Sequence, residues 1–350
     1  MHIHLNEHKF QPDGIAIGNL TIGHGELWGT AARIALVESR IAAGSLGVAE
    51  CDALARVFTD VAGSGEQLIL FLDCAGARVS EGLPALAAFR RMFAAALSLE
   101  CARVVAYCGT NCFGGGSMLA SLARVRVFAA DTRFAMSGPA VIAGMIEPDL
   151  REVNLAISTA ARLNGALGNV SALTQQLAQT PRHIRLSTFF SAPEIATARL
   201  RIPPTHDLHL DDAAPMGALR AWVLADEIWA LCAAPPARLR LFVDSPSHAA
   251  SLADERQFLS AQIVNLAEAM HALRLAGTLI ETIVTGTLGG GVYVALAAAS
   301  TKVLLGYGAE IRLLPGKAIE SILGENRETK NSLAAYLAAG VADQKWESTS

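Results

Sequence analysis

The chain has 350 residues, which at roughly 100–200 residues per domain is enough for two domains. Hydrophobic residues make up 52% and charged residues 17%, with much of the apolar share alanine, so buried helices lying close on sheets are expected. A net charge of −4 without a basic stripe excludes a nucleic-acid footprint; the absence of an uncharged apolar run of about 18–20 residues and of a signal-peptide plan at residues 1–8 leads us to expect a soluble cytoplasmic protein, not a membrane one.

Residues 1–48 read as an opening segment with short β-runs, one of them at 32–37, and end in Gly44-Ser45-Leu46-Gly47. The first of two similar units follows. It has an apolar strand over 68–73 ending in Asp73, a loop from Cys74 to Arg78, a helix over roughly 83–97, a strand over 103–108, and Gly114-Gly115-Gly116 opening a small-residue helix at 117–123. After a less patterned helical stretch, Pro193, Pro203, Pro204 and Pro215 gather with Asp207, Asp211 and Asp212, the composition of a linker.

The second unit repeats the order of the first. A strand over 239–244 ends in Asp244, the loop Ser245-Pro246-Ser247-His248 follows, a helix is expected over roughly 255–275 and a strand over 279–284, and Gly289-Gly290-Gly291 opens a helix at 292–299. The polar residues 343–350 read as a disordered tail. Strands alternating with helices, twice over, predict an α/β fold of two tandem units with an active site where they meet.

Six cysteines, at positions 51, 74, 101, 108, 112 and 232, contain no Cys-x-x-Cys pair, so no structural zinc or other metal site is expected and the thiols read as small buried hydrophobes. The glycine runs leave the first N–H groups of the following helix free to receive an anion. Neither run fits a nucleotide fingerprint, since there is no Gly-x-Gly-x-x-Gly and no Gly-Lys-Ser/Thr. The remaining chemical reading is an oxyanion hole, in which an N–H of the glycine loop and one of the loop after the Asp-terminated strand converge on a carbonyl oxygen becoming an enolate.

The residues of these loops resemble a family. The run from Asp73 through Gly82, Asp-Cys-Ala-Gly-Ala-Arg-Val-Ser-Glu-Gly, is similar to the Asp-Ser-Gly-Gly-Ala-Arg-Ile-Gln-Glu-Gly signature of the acyl-CoA carboxyltransferases, members of the crotonase superfamily. Cys112-Phe113-Gly114-Gly115, Ser137-Gly138-Pro139-Ala140-Val141-Ile142 and Gly44-Ser45-Leu46-Gly47 resemble elements of the β subunit of biotin-independent malonate decarboxylase. Val243-Asp244-Ser245-Pro246, the helix from Glu255 and Gly290-Gly291-Val292-Tyr293 resemble its γ subunit and the carboxyltransferase C-domain. The likeness departs at Ser247, where the family has Gly, and at Ala140, where it has Glu; His248 follows Ser247, and Ala53 stands where the family has Lys.

The resemblance implies two tandem crotonase-like (ββα spiral) domains: 1–190 β-like, a linker at 191–215, 216–342 γ-like, and a tail at 343–350. It implies backbone donors in the first half at Gly115 with Ala77, or with Ala75 in the hydratase register, around Gly76. In the second half it implies Gly290 and Gly291, facing the Ser247-His248 backbone, with Ala75, Gly114, Gly116, Ser247 and Tyr293 as substrate-binding positions. Met118 and Ala140 stand where hydratases of the superfamily carry Glu, which disfavours hydration. Arg78 and Glu81 read as an ion pair ordering the loop. His248 is the titratable side chain placed to deliver a proton.

The function so implied is decarboxylation of a malonyl thioester, on CoA or a phosphopantetheine-type acyl carrier protein, to the acetyl thioester. No covalently bound cofactor is expected; further subunits and a homo-oligomer are expected partners. The alternatives are a carboxyltransferase component served by biotin on a separate protein, and a non-catalytic scaffold in a biosynthetic complex.

Overall fold

Each Asp-terminated apolar run lies in a set of parallel strands. The structure is a computed structural model and describes residues 2–146, 153, 154, 157, 169, 170, 207–210, 212–324 and 331–347. Helix α1 (His2–Glu7) leads into β1 (Gln11–Pro12), β2 (Leu20–Leu27) and β3 (Thr30–Val37), followed by α2 (Val48–Ser64), β4 (Gln67–Cys74), α3 (Gly82–Ala96), β5 (Val104–Phe113), α4 (Gly115–Leu122), β6 (Val125–Phe128), β7 (Arg133–Ala135) and α5 (Pro139–Ile146). Then come β8 (Asp207–Leu210), α6 (Ala218–Leu231), β9 (Arg238–Ser245), α7 (Leu252–Arg256), α8 (Leu259–Leu275), β10 (Leu279–Gly289), α9 (Gly290–Ala299), β11 (Lys302–Leu305), β12 (Glu310–Arg312), α10 (Gly316–Leu323), α11 (Leu333–Ala339) and β13 (Gln344–Lys345).

The first sheet runs β1-β2-β3-β4-β5-β6 with β7 also on β5; the second runs β13-β11-β10-β9-β8 with β12 also on β10. The parallel strands are β3 to β7 in the first sheet and β8 to β13 in the second, and the first sheet adds β1 and β2 antiparallel at its edge. The central strand of each sheet forks. β5 pairs first with β6 and then with β7, and β10 first with β11 and then with β12. At each fork the register against the preceding strand shifts, between Leu72 and Cys74 and between Val284 and Leu288. A carboxylate occupies each shift: Asp73 accepts the Asn111 N–H at 2.9 Å, and Asp244 accepts the Thr287 N–H at 2.8 Å. The strand-terminal aspartates thus satisfy the backbone donor that a bulge takes out of the ladder. Both central strands run past the bulge to their glycine loops, beyond the ends at 108 and 284 expected from the sequence.

The expected α/β class and tandem ββα units are both present. They share one continuous hydrophobic core, with Phe89 and Phe93 of the first half and Tyr293 and Leu296 of the second in the same cluster. Small residues allow this closeness: every described residue of α9 but Gly291 is buried, and in α4 every one but Gly115. The helix expected over 255–275 is two helices, because Phe258 lies at φ 65°, a left-handed conformation that interrupts α-helical hydrogen bonding.

Part of the expected linker and the helical stretch before it, residues 171–206 with Asp211, lies outside the described residues, whereas β8 falls within the linker range and pairs with β9. Residues 343–347 are not the disordered tail their polarity suggested. Asp343 accepts the Val303 N–H at 2.7 Å and binds Arg90, and β13 pairs with β11; residues 348–350 lie outside the described residues. Among the described residues no helix is long and apolar enough to cross a membrane, and no group of three or more His, Cys, Asp and Glu is arranged to hold a metal ion.

Candidate active site at the seam of the two halves

The first glycine loop is shaped by residues that only glycine conformations allow. Gly76 at φ 88° and Gly114 at φ 53° bring the two loops together, so that a Cβ on Gly76 would stand 3.2 Å from the Phe113 carbonyl and 3.3 Å from the Gly115 nitrogen. The turn before α2 fixes the loop direction. Leu46 N–H donates to the Gly76 carbonyl and Arg78 N–H donates to the Leu46 carbonyl, both at 2.8 Å. This bridge leaves the Ala77 N–H pointing away from Leu46. Among the described residues neither the Ala77 N–H nor the Gly115 N–H, at the first position of α4, has a hydrogen-bond partner. Arg78 holds the loop by a network wider than the expected pair, binding Glu81 at 2.9 Å, the Ser45 carbonyl at 2.8 Å and buried Glu50.

The second half repeats this loop residue for residue. Met216 N–H donates to the Ser247 carbonyl and Ala249 N–H to the Met216 carbonyl, each at 2.9 Å, so His248 is the counterpart of Ala77. Gly114 N–H donates to the Ala135 carbonyl at 3.2 Å, and Gly290 N–H to the Leu313 carbonyl at 3.1 Å, so Gly291 is the counterpart of Gly115. Here the halves diverge. The His248 ring turns back over its own loop, and Gly291 N–H donates to its Nδ1 at 3.4 Å. The first loop offers a donor and the second is closed by an imidazole.

One cleft, with a volume of about 100 Å³, is lined from both halves, by Ala75, Gly76, Ala77, Gly114 and Gly115 on one side and His248, Gly290 and Gly291 on the other. Phe89, Met118, Met136 and Val294 make its wall apolar. His248 is fully buried, and desolvation lowers its pKa to about 4, so the ring is neutral near pH 7. Its Nε2 lies 3.0 Å from Ser137 Oγ, across the seam. Glu255 of α7 also crosses, accepting the Met136 and Ser137 N–H groups at 2.9 Å each; burial pushes its carboxyl up to about 8, against the pull of those two bonds.

Several expected site residues do not do what was expected of them. Gly290 and Gly291 line the cavity, but their amides are engaged, and a Cβ on Gly291 would fall 1.7 Å from the Met136 methyl. The Gly76 N–H is spent on Cys74 Sγ at 3.3 Å. Gly116 faces Cys74, where a Cβ would be 2.9 Å from the Cys74 Cβ, and it packs the helix onto β4 away from the cavity. Ser247 turns its hydroxyl to the His248 carbonyl at 2.8 Å. Tyr293 is fully buried, its hydroxyl donating to the Val341 carbonyl at 2.8 Å, and it does not reach the cavity. Ser137 and Glu255 carry no chemical signal in the sequence, because a serine in a loop and a glutamate in a helix acquire a role only when the two halves are brought together.

Residues 4–172 match the carboxyl transferase domain. A Pseudomonas malonate decarboxylase hetero-dimer is 28% identical over 39% of this chain and 62% of that one, with a TM-score of 0.35. A Pseudomonas malonate decarboxylase hetero-tetramer in complex with malonate is 27% identical over 45% of this chain and 59% of that one, with a TM-score of 0.37. The chain therefore spans less than two thirds of those chains. The transcarboxylase 12S hexamer is 15% identical over 97% of this chain and 81% of that one, at a TM-score of 0.36. Among curated proteins no sequence matches. Over residues 4–172, the chain is similar to the carboxyl transferase domain.

Proposed function

We propose that the protein decarboxylates a malonyl thioester, carried on CoA or an acyl carrier protein, to the acetyl thioester without biotin. The observation that carries this reading is the asymmetry of the two loops: unpartnered amides at Ala77 and Gly115, against a second loop whose Gly291 amide is held by His248. In the thioester complex the Ala77 and Gly115 N–H groups receive the carbonyl oxygen. As the carboxylate leaves as carbon dioxide, charge moves onto that oxygen, and each donor is worth roughly 2.7–4 kcal/mol of barrier when aimed at the developing oxyanion. The apolar wall of Phe89, Met118 and Met136 strengthens those bonds by excluding water.

A carboxyltransferase of the kind the sequence resembles uses its second glycine loop to receive the ureido oxygen of biotin. With the Gly291 amide engaged by His248 this loop is not open to that oxygen, and decarboxylation, which needs only the donors of the first loop to hold the enolate, is the reading we take. Met118 beside the first loop, where a hydratase would carry a carboxylate, favours it over hydration.

The test is incubation of purified protein with malonyl-CoA, and separately with a malonyl carrier protein, with and without a biotinylated carrier domain. Acetyl thioester formed without biotin and detected by mass spectrometry is the expected result. Product formed only with the biotinylated domain would establish the transferase reading, and none in any arm would establish a scaffold.

A further inference from the structure

Among the described residues Ser137 presents the one cavity-lining hydroxyl, and the second half of the chain fixes its hydrogen-bond geometry. Its N–H is held by Glu255 at 2.9 Å, and its Oγ lies 3.0 Å from His248 Nε2. The direction of that second bond follows from the far side of the ring. Gly291 N–H can only donate, so Nδ1 accepts and the ring proton sits on Nε2, which donates to Ser137 Oγ. The Ser137 hydroxyl therefore keeps its own proton, and among the described residues no second partner takes it. Ser137 lines the same cavity as Gly115.

We infer that Ser137 Oγ hands the proton to the α-carbon of the enolate formed between the Ala77 and Gly115 amides, with His248 as the positioning residue that polarises it. This rests on the decarboxylation reading above. The bond between the α-carbon and the carboxylate breaks and its electron pair becomes the enolate. The α-carbon then takes the Oγ proton to form the new C–H bond, while Oγ takes a proton from water. The hydroxide left joins carbon dioxide as bicarbonate, so malonyl thioester and water give acetyl thioester and bicarbonate. The Nε2–H of His248 stabilises the charge that gathers on Oγ during the transfer.

The test is steady-state turnover of malonyl-CoA by the full chain and by Ser137→Ala, His248→Leu and His248→Gln, each checked for cooperative melting. Ser137→Ala should lose about 10²–10⁴-fold in kcat with KM within about threefold, as for a lost proton donor. His248→Leu should lose at least tenfold. His248→Gln carries an acceptor for Gly291 N–H and a donor for Ser137 on one amide, and should recover most of that loss, which a space-filling role alone would not produce. Full kcat in a folded Ser137→Ala overturns the inference and leaves decarboxylation standing. Equal losses in His248→Leu and His248→Gln overturn the positioning role even if Ser137→Ala does not fold, and a wild-type chain that forms no acetyl-CoA overturns the inference together with the reading beneath it.

Discussion

The carboxyl group of Glu255, in the second half of the chain, accepts the backbone N–H of Ser137, in the first, at 2.9 Å. The Met136 N–H fills its other oxygen at the same distance, so a single buried side chain sets the segment that carries the Ser137 hydroxyl. Glu255→Gln places an amide donor against one of two backbone donors. The expected cost is about 1–3 kcal/mol of stability, the penalty for a buried unsatisfied polar group, together with a fall in turnover. Urea denaturation and malonyl-CoA turnover of the same preparation check both.

Two buried groups make stability depend on pH in opposite directions. Burial lowers His248 to about 4, below its unfolded value of 6.5, so its contribution is fully present above 6.5 and is lost as pH falls toward 4. Burial raises Glu255 from 4.5 to about 8, so its contribution is fully present below 4.5 and is lost as pH rises through 8. Denaturation midpoints at pH 5, 7 and 9 should show His248→Gln less sensitive to acid than the wild type, and Glu255→Gln less sensitive to alkali.

Ala77 and His248 occupy equivalent places in the two loops. Ala77→His should therefore reproduce in the first half the closure found in the second, its ring covering the Gly115 N–H. Turnover should fall by about 10²–10³-fold, the loss typical of one oxyanion donor, with little loss of stability because Ala77 borders the cavity. Unchanged turnover in a folded Ala77→His variant would remove Gly115 from the mechanism.

A side chain at Gly115 would do more than obstruct the site. Its Cβ would lie 2.0 Å from the Phe89 ring, which is buried in the shared core, so Gly115→Val should unfold the chain as much as obstruct the site. Gly115→Ala should lower the melting temperature, and Phe89→Leu in the same chain should restore part of the loss. Thermal melts of the two single variants and the double variant measure that coupling.

What the sequence made legible was local and repeated. The strands at 68–73 and 239–244, the glycine runs and the Asp-Cys-Ala-Gly-Ala-Arg loop lie within short windows whose periodicity and turn chemistry survive folding. The β5 and β10 extensions were not legible, because they depend on bulges filled by Asp73 and Asp244 from a neighbouring strand. Nor was the closure of the second loop, since glycines at 290 and 291 read as open whether or not an imidazole lies on them. Ser137, His248 and Glu255 are separated by over a hundred residues along two of their three pairings, and only the packing of α7 against the first half makes them neighbours. Tyr293 misled for the reverse reason, being adjacent in sequence to the site but facing the core on the other side of α9.

The cavity has no complete wall in either half. Ser117 meets Ser260 at 2.8 Å across the seam, and Arg90 reaches from α3 to the carbonyls of Ala297 and Gly340 and to Asp343. If the chain were severed between its two sheets, each fragment would keep its own glycine loop yet lack its opposite face. Activity would then become a bimolecular property: dilution alone would act as an inhibitor, and the continuous chain is what spares the site from that dependence.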